Sequence, residues 1–202
     1  IQRGQLGYLD ASEGIGILEL PTGKVDRSEG DVHPLGNPHY WLDPRNGLVI
    51  ARHIANRLKQ LDPQNAEQYE KNYQQFETKL KEKMAAWQKQ LAPLRGKKII
   101  AYHKSLPYFA DWSGIVIAGF VEPKPGIPPN PGHLLSLIDK IKSEKIPLIV
   151  SENFYDPKPS EQLAEKTGAK FIVISTSVNG DPSVKTYEDL FEVMIQKLLG
   201  AQ

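Results

Sequence analysis

The sequence predicts an α/β fold, a parallel sheet covered by helices with one long helix running beside it. Strand and helix signals alternate from residue 98 to the end, and the strands are short, apolar and β-branched. A single amphipathic pattern also runs unbroken over residues 63–92. With 202 residues, 40% of them hydrophobic, the chain has material for a real core in one large or two small domains. Its 25 basic and 24 acidic residues are interspersed and leave a net charge of +1, which makes nucleic acid a poor partner. The absence of cysteine excludes a disulfide scaffold, a thiolate zinc finger and a cysteine nucleophile, so any metal is held by His, Asp, Glu or water. No apolar run approaches the roughly 20 residues that cross a bilayer.

Residues 1–30 mix short apolar stretches with glycine and read as loop plus one short strand in the Gly14–Leu20 region. Residues 30–44 carry Pro34, Pro38 and Pro44 together with Gly30 and Gly36, which forbids a regular element over most of the stretch and predicts an ordered loop. A helix then starts at Asp43-Pro44, a capping residue followed by proline in the first turn, with Leu48, Ile50, Ala51, Ile54, Ala55 and Leu58 as its apolar face. Asp62-Pro63 opens the long helix, where Tyr69, Tyr73, Phe76, Leu80, Met84 and Trp87 recur at steps of three or four until Pro93. About 30 residues at a rise of 1.5 Å span roughly 45 Å, so this helix belongs to a bundle or runs as a spine beside two lobes. Beyond it come strands at 98–102, 116–121, 148–150 and 171–174, separated and followed by helices at 106–112, 131–145, 160–167 and 186–199.

Ligands in an open α/β sheet bind beyond the carboxyl ends of the strands. His103 follows the strand at 98–102 and Glu152 follows the one at 148–150, so both project to one edge of the sheet. His39, in the rigid Asn37-Pro38-His39-Tyr40-Trp41 loop, faces them across a cleft, and His33 lies in the same loop region. Imidazole and carboxylate suit Zn²⁺, and the same set accepts Mn²⁺ where oxygen ligands predominate. Each residue also has a plainer reading: His39 and His103 as polar rim or capping groups, His33 as a loop residue, Glu152 as a cap for Asn153 or a lysine's partner. His53 reads as an exposed helix residue, His133 as part of a helix start, and the aromatic stripe of the long helix as core packing. No phosphate-binding glycine loop follows a strand, and there is no Gly-x-Ser-x-Gly elbow or His-Glu-x-x-His helix.

Taken in order, Asn37-Pro38-His39-Tyr40-Trp41-Leu42-Asp43-Pro44, the long helix, Lys97-Lys98-Ile99-Ile100-Ala101-Tyr102-His103 and Phe109-Ala110-Asp111-Trp112 resemble the zinc and manganese solute-binding proteins of the ZnuA/TroA type. Pro131-Gly132-His133, Ser151-Glu152 and the segment 163–170 extend the likeness over nearly the whole chain. The resemblance implies a two-lobed protein with the long helix as rigid spine: residues 1–62 as a partial N-terminal lobe, 63–92 as the linking helix and 93–202 as a complete C-terminal lobe. It implies an extracytoplasmic component of an ABC importer, in the periplasm or on the outer face of the membrane, which passes Zn²⁺, or Mn²⁺, to the permease as cargo and is not an enzyme. It implies His39 and His103 as ligands.

The family's first histidine ligand has no counterpart before His33, and its last, an aspartate after the final strand, meets Ser175-Thr176-Ser177 here, with Asp181 further on. Glu152, His33 or water is left to fill the vacancy. An incomplete lobe leaves apolar surface uncovered, which implies association of two chains or instability. The alternatives in other classes are a metal-dependent hydrolase with Glu152 as general base and a metal-free adhesion or interaction module. Histidine ligation further predicts that affinity falls below about pH 6.5.

Overall fold

The computed structural model describes residues 2–23, 30 and 33–201. Helices α1 (Pro44–Leu61) and α2 (Ala66–Gln90) come first, followed by β1 (Lys98–Ala101), α3 (Pro107–Ser113), β2 (Val116–Phe120), α4 (Pro131–Glu144), β3 (Leu148–Glu152), α5 (Lys158–Thr167), β4 (Lys170–Ile174) and α6 (Tyr187–Gly200). The strands form one parallel sheet in the order β2-β1-β3-β4. Both faces are covered, which is why the strands carry almost no polar residue.

Period-2 alternation splits the core into two layers. Ile99 and Ala101 of β1 and Leu148 and Val150 of β3 face one side, where α2, α3 and α6 supply Trp87, Phe109, Trp112 and Phe191. Ile100 and Ile149 face the other, against Leu137 and Ile141 of α4 and Leu163 of α5. Within α2, Tyr73, Leu80 and Trp87 are the buried residues, spaced by seven, so only a narrow stripe of this charged helix touches the body. The Trp87 indole is completely buried and donates to Glu192 Oε2 of α6 at 3.0 Å.

Three sequence expectations need correction. The expected strand near Gly14–Leu20 is absent among the described residues: no strand lies alongside, and the Leu18 N–H and C=O are taken by Tyr108 Oη (3.0 Å) and the Asn37 N–H (2.9 Å). The single helix expected over 63–92 is 3-10 at Pro63–Asn65 and again at Ala92–Leu94, because a proline sits at or near the start of each short turn. Strand β3 continues through Glu152, so this residue closes the strand instead of following it. Among the described residues no helix is long and apolar enough to cross a membrane.

Candidate metal centre

The carboxyl edge of the sheet gathers the polar residues. Beyond β1 stands His103, beyond β2 Glu122, at the end of β3 Glu152, and beyond β4 the segment Ser175-Thr176. The chain crosses from β1 outward to β2 but places β3 and β4 on the opposite side of β1, so the connection reverses direction between β1 and β3. A crevice opens at such a reversal, and His103 and Glu152 flank it.

The loop bearing His39 closes over this edge through a dense set of bonds. Gly36 has φ +91°, and a Cβ there would collide with the Ile17 side chain and stand 2.9 Å from Leu18 O, so only glycine fits. The buried Asn37 amide donates from Nδ2 to Glu19 Oε2 and to Lys104 O, both at 2.7 Å, while its Oδ1 accepts the His39 backbone N–H at 2.9 Å. Tyr108 Oη donates to Asn37 O at 3.1 Å. The Trp41 indole donates to Thr176 O at 2.9 Å, and Tyr187 Oη donates to Trp41 O at 2.6 Å. Asp43 caps α1 through the Arg45 N–H at 2.8 Å, and the Arg45 guanidinium pairs with both Asp43 and Asp111 at 2.6 Å.

The result is a pair of imidazoles at the mouth of a small cavity. The ring centroids of His39 and His103 are 5.4 Å apart and the rings meet edge to face. A zinc ion about 2.0–2.1 Å from a ring nitrogen lies roughly 3.2 Å from the ring centroid, so two rings sharing a tetrahedral zinc have centroids roughly 5.2 Å apart. The observed spacing fits. The cavity, of about 50 Å³, is lined by Glu19, His33, Asn37, His39, His103 and Lys104 among others. That is room for an ion with one or two waters, each of which needs on the order of 10–15 Å³.

Burial drives the His39 imidazole down to about 4, with His103 and His33 pushing the same way and Glu19 opposing. At neutral pH this ring is therefore uncharged and able to ligate. His103 Nδ1 lies 2.6 Å from Glu122 Oε2, with both side chains largely buried. Glu152 is buried beside this pair with Ser105 Oγ nearby, and among the described residues neither carboxyl oxygen nor that hydroxyl meets a partner in full hydrogen-bonding geometry. Burial pushes the Glu152 carboxyl above its ordinary value, against the smaller opposing pull of Ser105 and His103.

Of the four residues singled out in the sequence, His39 and His103 come together, His33 lies exposed on the rim of their cavity, and Glu152 sits buried near His103. Among the described residues, no three or more His, Asp or Glu side chains stand close enough to hold a metal ion, so the ready donors are the two imidazoles. Asp181 is turned to Ser183 and to Lys197 of α6, at 3.2 Å from the ammonium. His53 is half-buried on α1, not exposed, and His133 lies against Phe120 O with Nε2 at 2.9 Å while Asn130 caps α4. Sequence reasoning passed over Glu122, although the rule that found His103 and Glu152, a polar residue beyond a strand's carboxyl end, applies to it equally. It also left Asn37 without a role.

Comparison with known proteins places the fold in a known family. The family model described as the periplasmic zinc-uptake complex component A, ZnuA, matches residues 3–201. The zinc uptake protein ZnuA of Brucella abortus is 32% identical over 163 residues, covering 79% of this chain and 47% of that protein. The iron-binding protein YfeA of Yersinia pestis is 28% identical over 91% of this chain and 59% of its own length. The manganese substrate-binding lipoprotein PsaA of Streptococcus mitis is 28% identical over 79% and 50%. A crystal structure of ZnuA superposes with a TM-score of 0.78 at 27% identity, covering 95% of this chain and 68% of that one. The chain thus spans about half the length of the curated relatives it matches. A match running from residue 3 to residue 201, on a fold that superposes on a crystal structure of ZnuA, has one meaning: the chain belongs to the family of periplasmic zinc-uptake components, the ZnuA family.

Proposed function

We propose that this chain is the metal-holding portion of an extracytoplasmic substrate-binding protein, which captures a divalent transition-metal ion between His39 and His103 and delivers it to the permease of an ABC importer. The observation that carries this reading is the 5.4 Å spacing of two imidazoles across one small cavity. Zinc ranks first because nitrogen donors dominate, with manganese second, since it favours oxygen. The relatives are named for zinc, iron and manganese, so membership alone leaves the cargo open. Water, His33 from the rim and Glu152 after a side-chain shift complete the coordination shell. The ion is cargo, not catalyst, and the protein works in the periplasm or at the outer face of the membrane. Neither the hydrolase nor the adhesion alternative gains support from these relatives.

In this reading residues 1–62 contribute part of one lobe, 63–92 the connection and 93–202 the second lobe. Apolar side chains are uncovered on α1, where Ile54, Leu58 and Leu61 are 44%, 37% and 46% exposed. We place the contact of a second copy there.

Calorimetric titration of metal-stripped protein with Zn²⁺ and Mn²⁺ tests the reading. Zinc is expected to bind more tightly than manganese, and a His39→Ala, His103→Ala double variant should lose at least about 100-fold in zinc affinity. A wild type that binds neither ion, or a double variant that binds as the wild type does, defeats it.

A further inference from the structure

We infer that Asn37 and Glu122 are positioning residues that lock both imidazoles with hydrogen on Nδ1, so that the two Nε2 lone pairs are the ones offered to the cavity. The inference rests on the metal-capture reading for its purpose, and on hydrogen-bond direction alone for its content.

The Asn37 amide can be oriented from its neighbours. Its Nδ2 faces Glu19 Oε2 and Lys104 O at 2.7 Å each, two oxygens that only accept. The opposite amide atom faces the His39 backbone N–H at 2.9 Å, a group that only donates. Three bonds therefore agree that the atom 2.9 Å from His39 Nδ1 is the carbonyl oxygen. A ring nitrogen at that distance from an acceptor must carry the hydrogen, since two lone pairs would otherwise face each other. In a neutral imidazole that leaves the lone pair on Nε2.

His103 reaches the same state by a different partner. Its Nδ1 lies 2.6 Å from Glu122 Oε2, within hydrogen-bond distance of an oxygen placed to accept. The Gly126 N–H points at that same oxygen from 3.4 Å, so the oxygen is placed as an acceptor of two donors. A neutral amide thus sets one ring and a carboxylate the other, and the two arrive on different loops. Outer partners of this kind fix ring orientation and raise donor basicity, and their loss costs about 10–100-fold in metal affinity.

Nitrogen-15 imidazole spectra of the metal-free protein at pH 8, together with zinc titration of variants, decide the matter. For both His39 and His103 the expected pattern is N–H at Nδ1 and a bare nitrogen at Nε2. Glu122→Ala should release His103 to a mixture of tautomers, leave the His39 pattern intact and weaken zinc binding about 10–100-fold. Asn37→Ala should do the converse, and Glu122→Gln, whose carbonyl oxygen accepts from Nδ1–H, should restore part of the loss. A purely structural role would lower stability without moving the tautomers. Hydrogen on Nε2 of either ring in the wild type, or variants that match the affinity of a zinc-binding wild type, overturns the inference. Should Asn37→Ala fail to fold, the wild-type spectrum and the Glu122 variants still decide it. A wild type with locked tautomers but no zinc affinity would sink the capture reading and leave the lock standing.

Discussion

At the scale of single residues, the burial of His39 makes the fold sensitive to acid. Its folded value of about 4 lies below the ordinary 6.5, so between these values the unfolded chain binds the additional proton. The native state is therefore unpenalised above pH 6.5 and loses stability as pH falls toward 4. The loss is roughly 1–2 kcal/mol once solvent screening at the cavity mouth is allowed for. Thermal melts of the metal-free protein across this range should show a slope that flattens in His39→Gln, and an unchanged slope in that variant would refute the assignment. For His39 itself, burial and the two neighbouring histidines keep the ring neutral further into acid than the ordinary imidazole value. The sequence makes His39 and His103 legible because one lies in a proline-fixed loop and the other just beyond a strand. Asn37 and Glu122 are legible only as atoms with direction, which residue type and spacing do not encode. Glu152 is an intermediate case: its position is predictable, but the want of a well-aligned hydrogen-bond partner among the described residues is a fact of packing.

At the scale of elements, α6 and α2 decide whether the edge of the sheet holds its shape. Helix α6 begins with a reciprocal capping box: Thr186 Oγ1 accepts the Asp189 N–H at 3.2 Å and Asp189 Oδ2 accepts the Thr186 N–H at 2.8 Å. Thr186→Ala should cost about 1 kcal/mol in urea unfolding. Trp87→Ala, which empties a fully buried site and removes one of the donors to Glu192, should cost about 3–5 kcal/mol. Equal losses in the two variants would contradict the packing described. Helix and strand order was readable from periodicity because α4, α5 and α6 keep an apolar stripe and the strands are unbroken apolar runs. The segment near Gly14–Leu20 misled because alternation says nothing about whether a neighbouring strand exists to pair with. The 3-10 turns at either end of α2 were likewise hidden, since proline marks a boundary without naming the geometry on its far side.

At the scale of the whole molecule, the uncovered side chains of α1 adjoin an apolar groove of about 340 Å³ lined by Trp41, Ile50, Ile54, Phe76, Val178 and Tyr187 among others. Sedimentation equilibrium should show the wild type associating at high micromolar concentration. An Ile54→Lys, Leu58→Lys variant should stay monomeric with little change in melting temperature, and a wild type that remains monomeric would remove the proposed self-contact. The division of the chain into a spine and two lobes came from resemblance, not from any break in composition, and the described contacts run across it freely. Trp41 is the clearest example: its indole is held by Thr176 beyond β4, and its carbonyl by Tyr187 of α6. The loop that carries His39 is thereby riveted to the scaffold that carries His103. Were the chain a courier of ions, as proposed, this would divide the labour of exchange. Under the proposed capture, the imidazole pair would keep one spacing with or without the ion, and the moment of departure would fall to the replaceable remainder of the shell, whose bonds can be traded one by one for those of the receiver.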